Sequence, residues 1–279
     1  IGHLRGISGT LSVPSGHLDT HNLMHPFTGI RITDKGLQIL SEYVGAVREI
    51  IGYEVPLALD HFGHIGVEDC IRLARELDQY NLAWLEDMIP WQFTDQYVRL
   101  SNACTTPICT GEDIYCKEEF VKLFEAKAIA ISHPDIATSG GILETKKIGD
   151  LAQEHGIAMA MHMAGTPVCA MASVHCAAAT ENFLVLENHS VDTPWWDQLV
   201  TGLPHPIIQD GYITVPTSPG LGISLNEEAV KAHLHPNETG YFLPTTEWDL
   251  ERSHDRLWRY VVKRLDFLRR GFRLDCAGR

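Results

Sequence analysis

The sequence predicts an α/β fold on a parallel sheet and, within that class, a TIM-type (β/α) barrel. Three observations carry the prediction. Six short apolar or β-branched runs are each separated from the next by a stretch of helical periodicity. The runs are apolar on both faces, as strands covered on both sides by helices must be. Each run also closes on a group able to bind a metal or move a proton. A doubly wound sheet meets the first two conditions equally well. No G-x-G-x-x-G or P-loop follows any run, so the usual nucleotide signature of that class is absent.

Taken in order, residues 1–33 are rich in Gly, Pro, Ser and His and show little periodicity, which predicts a long loop near a barrel mouth. "DKGLQILSEYVGAVREIIG" (34–52) is an amphipathic helix, and "VPLALD" (55–60) the first strand. The helix from Gly66 sets Cys70, Leu73, Ala74 and Leu77 on one stripe. "LAWLED" (82–87) follows, then a helix from Thr94 whose Thr-Asp start supplies an N-cap. "PICTGED" (107–113) precedes a helix from Lys117. "AIAISHPD" (128–135) precedes one from Gly141, closed by Gly156 as a C-cap. "IAMAMHM" (157–163) leads into a helix from Thr166 that is apolar nearly all round, and "FLVLENH" (183–189) is the last strand.

Six units fall two short of a closed barrel, and a helix precedes the first visible strand. Residues 34–200 therefore read as barrel strands three to eight, with the earlier strands expected upstream of Ile1, where the chain starts without a Met. After Pro194 the pattern changes. Residues 201–258 read as a C-terminal segment containing a β-hairpin that turns at Asp210-Gly211, and 259–279 as a basic tail or helix.

Composition removes several function classes. With 22 Lys plus Arg against 36 Asp plus Glu, the 279 residues carry a formal charge of -14, which repels nucleic acid and anionic lipid. No apolar run is long enough to span a bilayer, and no signal peptide is visible. The seven cysteines show no C-x-x-C spacing and predict buried free thiols in a reducing compartment, hence a cytoplasmic protein.

The groups that end the six strands are Asp60, Glu86, Glu112, Asp135, His162 and Glu187, spaced 26, 26, 23, 27 and 25 residues apart. Strand C-termini of a barrel converge on one mouth, so these distant residues would form one ring. Asp60, Glu86 and Glu112 are hard oxygen donors suited to Mg²⁺, and three anions in one mouth repel unless a cation lies between them. Capping of helix N-termini or pairing at the rim is the structural alternative. Asp135 beside His162 would fix the imidazole tautomer and raise its basicity, giving a general base; a satisfied core histidine is the alternative. Glu187 could donate to a developing oxyanion if protonated, or serve as a rim ion-pair partner. His61 and His64 follow the first strand, and His189, Trp195 and Trp196 the last; His61, His64, His189 and Trp195 are candidate substrate contacts, with solvation or packing as the alternative. His133 precedes Asp135 by two and shares its face, without an assigned role. Asp87, next to Glu86, would point the other way along the pleat.

These residues resemble the enolase superfamily and, within it, the mandelate racemase subgroup. The motifs are "LALDHFG", "WLEDMIP", "TGED", "HPDIATSGGILETKKIGDLAQEHGI", "MHMAGTP" and "FLVLENH", and the likeness covers roughly residues 34–258. The resemblance implies a (β/α)7β barrel and Mg²⁺ held by Asp60, Glu86 and Glu112. It also implies a His162–Asp135 base and Glu187 near a substrate carboxylate. The reaction implied is abstraction of a proton α to a carboxylate through an enediolate. In that family a His-Asp dyad acting without an opposing base commonly goes with dehydration, so the resemblance implies a dehydratase of a sugar acid, an aldonate or aldarate. Racemisation, epimerisation or cycloisomerisation is the nearest rival, and a non-catalytic metal or sugar-acid binder the next. A homo-oligomer is expected. The sequence departs from the family in lacking the capping domain and the early Lys-x-Lys strand, in Phe62 two residues after Asp60, and in having no Lys at the end of the 128–135 strand.

Overall fold

The computed structural model describes residues 4, 7–12, 30–60, 65–236 and 240–241. His61, His64, the 259–279 tail and most of the 1–33 stretch lie outside them. Within 1–33, Leu11–Ser12 (β1) pairs antiparallel with Arg31–Ile32 (β2). Helix α1, Asp34–Ile51, follows, capped by the Thr33 hydroxyl, which accepts from Gly36 N at 3.1 Å.

Six parallel strands then form one curled sheet in chain order: Leu59–Asp60 (β3), Leu85–Glu86 (β4), Ile108–Thr110 (β5), Ile131–Ser132 (β6), Ala158–Met161 (β7) and Phe183–Leu186 (β8). The predicted (β/α) class is what the structure has, with six barrel strands present. The strands proper are shorter than the apolar runs, but backbone pairing continues toward the mouth. Asp87 N donates to Cys109 O at 3.1 Å, His133 N to Thr110 O at 3.0 Å and Glu187 N to Met161 O at 2.9 Å. Between β7 and β8 the register shifts: Met159 faces Phe183 while Ala160 faces Val185, leaving Leu184 out of the ladder.

The crossovers are α2 (Val67–Leu77), α3 (Thr94–Ser101), α4 (Cys116–Glu125), α5 (Ile142–Glu154) and α6 (Pro167–Ala178). Thr94 is the first residue of its helix rather than the cap; Phe93 holds the cap position and makes no side-chain cap bond. Helix α5 ends at Glu154 with His155, not Gly156, as its C-cap, and Gly156 takes the left-handed position just beyond at φ +71°.

Strand alternation separates two apolar layers. Leu85 and Ile108 face outward and join Leu73, Leu77, Tyr97, Phe120 and Phe124 beneath the helices. Trp84, Cys109, Ile131 and Ala160 form a separate inner cluster. Each fully buried Leu or Phe of this kind stabilises by about 1.5–3 kcal/mol relative to exposure. Outside the sheet, Arg48 is buried at the end of α1 and donates to the carbonyls of Gly52, Val55, Tyr80 and Asn81 at 2.7–3.1 Å, joining α1 to the turn before β4. Of the described cysteines, Cys70, Cys109 and Cys176 are buried thiols as expected, whereas Cys116 is exposed.

Beyond β8, Val200–Thr201 (β9) pairs antiparallel with Ser224–Leu225 (β10). The Asp210-Gly211 turn is present, with Gln209 and Tyr212 exchanging both backbone bonds at 2.9 Å, though only as a single bridge. The chain divides into two units after Leu225. The second contains a short helix, Glu227–Ala232 (α7), with the Asn226 side chain accepting from Ala229 N.

Candidate active site

The parallel register carries each strand-end residue toward the same edge of the sheet. Asp60 stands opposite Glu86 in the β3–β4 ladder, and an isolated bridge joins Asp135 to His162. Around the His162 ring the geometry is closely defined. Its Nδ1 lies 2.6 Å from Asp135 Oδ2, while Asp135 Oδ1 accepts from Ala137 N at 2.6 Å. Its Nε2 faces the acids, 3.1 Å from Glu112 Oε2 and 3.6 Å from Glu187 Oε2. With Asp135 holding one nitrogen, the other is presented to whatever occupies the mouth.

Burial opposes the charged form of this pair, and the contacts overcome it. Asp135 is displaced upward by burial, but bonds from His162 and Ala137 N bring its carboxyl below the ordinary range. His162 is pushed down by burial and raised by the Asp135 bond and the charges of Glu112 and Glu187, ending above its ordinary value. Glu112 is raised, mainly by burial and partly by Glu86.

The fourth group, Glu187, is held by histidines. His189 Nε2 is 2.7 Å from its Oε1, and His133 Nε2 is 3.3 Å from its Oε2. Against the upward push of burial, His133 and His189 bring the carboxyl down to about 2. Within this chain, His189 and His133 are the histidines nearest the Glu187 carboxylate. His133 itself is 1 % exposed, with Nδ1 2.9 Å from Ala160 O and Nε2 3.0 Å from Glu86 Oε1. Burial lowers its pKa, but Glu187 and Glu86 raise it further, to about 10. Neither of its Nε2 contacts is aligned as a hydrogen bond, and Nε2 and Glu187 Oε2 are both buried without an aligned partner.

Three carboxylates meet at the mouth: one oxygen each of Glu86, Asp87 and Glu112 lies within 4.8 Å of the others. Alternation along the pleat would turn Asp87 away. Its φ of +45° breaks the alternation at the strand end and brings the carboxylate back beside Glu86, where the Thr110 hydroxyl donates to it. Burial foremost, and the neighbouring Glu112 and Glu86, raise Asp87 to about 7. Asp60 reaches the same edge through its register with Glu86. Trp195 is half-buried and opens the 3-10 turn Trp196–Leu199; Trp196 is buried and donates from Nε1 to Gly165 O at 2.9 Å.

Residues 23–229 match the family model described as enolase C-terminal domain-like. The chain belongs to that family. The D-xylonate dehydratase of Haloferax volcanii is 38 % identical over 230 residues, 82 % of this chain and 54 % of that protein. The D-gluconate/D-galactonate dehydratase of Picrophilus torridus is 28 % identical over 202 residues, 72 % of this chain and 51 % of that one. Among solved structures, the mandelate racemase/muconate lactonizing enzyme-like protein of Rubrobacter xylanophilus superposes with a TM-score of 0.71 at 37 % identity, covering 74 % of this chain and 52 % of that one. The chain spans about half the length of the curated relatives it matches.

For a family whose sites hold Mg²⁺, the clustered oxygens of Glu86, Asp87 and Glu112 are of the hard kind that ion takes, with Asp60 outside that cluster. Trp84, whose indole N–H donates to Glu86 Oε2 at 2.8 Å, is not among the sequence candidates, and His133 has no assigned role there. The two-residue offsets, Trp84 to Glu86 and His133 to Asp135, were the available clue, because residues i and i+2 share a strand face.

Proposed function

We propose that this chain supplies the catalytic half of a Mg²⁺-dependent sugar-acid dehydratase, with His162 as the general base. The observation that carries the reading is the His162 ring, tied at Nδ1 to Asp135 and open at Nε2 among Glu112 and Glu187. The family and the dehydratase names of its relatives support it. Asp60, Glu86 and Glu112 would hold the metal, with Asp87 beside them. Mg²⁺ bound there supplies Lewis-acid stabilisation of the negative charge developing on the substrate carboxylate.

His162 Nε2 takes the proton from the carbon α to that carboxylate, and Asp135 stabilises the imidazolium that results. The electron pair left on the substrate expels the β-hydroxyl, which departs as water with the proton returned by the His162 imidazolium, and the enol product tautomerises to a 2-keto-3-deoxy acid. Glu187, held by His133 and His189, lies on the side of the substrate carboxylate. His189 and Trp195 line the approach after β8. A reducing cytoplasmic setting accords with the free thiols, and we include a homo-oligomeric assembly in this reading. No helix among the described residues is long and apolar enough to cross a membrane.

The test uses the full-length protein with Mg²⁺ and a panel of aldonates and aldarates. It should form 2-keto-3-deoxy acids, and Glu86→Gln should abolish both product and Mg²⁺ binding. An epimerised acid would move the assignment to the isomerases. Neither product nor exchange of the α-proton with D₂O across the panel would end the enzyme reading.

A further inference from the structure

We propose that Trp84 and His133 are positioning residues that clamp the Glu86 carboxylate from beneath the mouth, His133 also joining it to Glu187. The inference rests on Glu86 being a metal ligand, as argued above. Glu86 is 4 % exposed, so its carboxylate has little access to water and takes its orientation from protein donors. Trp84, two residues earlier on the same face, donates from Nε1 to Oε2 at 2.8 Å. His133 Nε2 lies 3.0 Å from Oε1. Both oxygens are thus contacted from inside the barrel by ring nitrogens.

The two rings are themselves fixed. Trp84 packs in the inner cluster with Cys109, Ile131 and Ala160. His133 Nδ1 is 2.9 Å from Ala160 O, and because a carbonyl only accepts, Nδ1 must carry a hydrogen and donate it. That bond sets the plane of the ring and leaves Nε2 in close charge contact with Glu86 and, at 3.3 Å, with Glu187 Oε2, aligned as a hydrogen bond to neither. The backbone of His133 is seated as well, since Gly111 leaves no room for a Cβ against it. A ligand oriented in advance binds its cation without a reordering cost, and partners that orient a ligand typically account for about 10- to 100-fold in metal affinity.

Mn²⁺ is the probe, titrated by electron paramagnetic resonance into the full-length protein, because hard-oxygen sites accept it and free and bound forms are distinguished without turnover. Trp84→Phe keeps an aromatic ring and deletes the N–H. His133→Asn keeps a donor near the Nδ1 position and withdraws the atom facing Glu86 and Glu187. His133→Gln places an amide nitrogen near Nε2. Trp84→Phe and His133→Asn should weaken Mn²⁺ binding by about 10- to 100-fold, with His133→Gln near wild type. If Trp84→Phe and His133→Asn bind as wild type does, or if His133→Asn and His133→Gln fall together, the rings only fill space and the inference is overturned. The histidine pair decides if Trp84→Phe fails to fold. If the wild type binds no Mn²⁺, or Glu86→Gln binds it unchanged, the metal-ligand assignment fails instead, a separate outcome.

Discussion

Gly111 follows β5 at the mouth with φ +152°, and a Cβ built on it would lie 2.8 Å from the carbonyl carbon of His133 and 3.0 Å from that residue's N and O. The neighbour is backbone, so no side chain can swing aside. Gly111→Ala must therefore separate the ends of β5 and β6, which carry Glu112 on one side and His133 and Asp135 on the other. Overpacking of this kind costs about 1–3 kcal/mol. A non-glycine residue at such a φ adds a further 1–3 kcal/mol or so. The expected loss is thus about 2–6 kcal/mol, lowering the melting midpoint by roughly 5–20 °C. Gly156→Ala separates the two contributions: φ there is +71° and nothing lies within 4 Å of its Cβ position, so only the backbone cost, about 1–2 kcal/mol, applies. Urea denaturation of both variants, followed by circular dichroism, makes the comparison. Equal losses in the two would refute the claim that close approach of β5 to β6 is what requires glycine at 111.

Three further outcomes are expected. The Glu187 carboxyl sits at about 2 against an ordinary 4.5, so its stabilising contribution is complete above pH 4.5 and is lost as pH falls through 2. His133 is raised from 6.5 to about 10, so its contribution is complete below pH 6.5 and disappears as pH rises through 10. In urea midpoints recorded against pH in EDTA, Glu187→Gln should flatten the acid limb between those values, and an unchanged limb would disprove the pairing. Asp135→Asn should slow exchange of the substrate α-proton in D₂O by about 10²–10⁴-fold, read by NMR, because Nδ1 loses the carboxylate that sets its tautomer; a wild-type rate would remove Asp135 from the base. Arg48→Met leaves four backbone carbonyls without their donor and should cost about 3–5 kcal/mol in the same denaturation assay, an unaltered midpoint counting against that role.

The sequence made the six-strand order and the polar strand ends legible, because period-two burial and one βα repeat per strand both leave marks in a single chain. Leu85 outward and Trp84 and Glu86 inward follow directly from that alternation. It breaks down where the backbone leaves the extended region. Alternation turns Asp87 away from Glu86, whereas the structure brings it back, since its φ of +45° is a property of how β4 ends rather than of the residue type. Trp84 reads as one more apolar strand residue, because the bond its indole makes depends on where Glu86 turns. His133 shares a face with Asp135, yet its work is done across the sheet, toward β4 and β8. The apolar runs are longer than the regular strands for a related reason: in 128–135 only Ile131–Ser132 form continuous ladder, while Ala130, His133 and Asp135 pair through single bonds or an isolated bridge.

The shift between β7 and β8 decides which residue of β8 arrives beside the base. In the frame begun by Met159 and Phe183, Leu186 would stand level with His162. Skipping Leu184 advances the strand by one, so Met161 meets Leu186 and Glu187 N reaches Met161 O. One residue is half a period of a strand, and a half-period exchanges a leucine for a carboxylate at the mouth. The irregularity acts as a vernier: it leaves the early part of β8 in its own frame and slides only the last part into step with the base. Were Leu184 paired in regular alternation instead, every contact of the early strand would survive, and the fourth acid would still be turned to the wrong side of the wall.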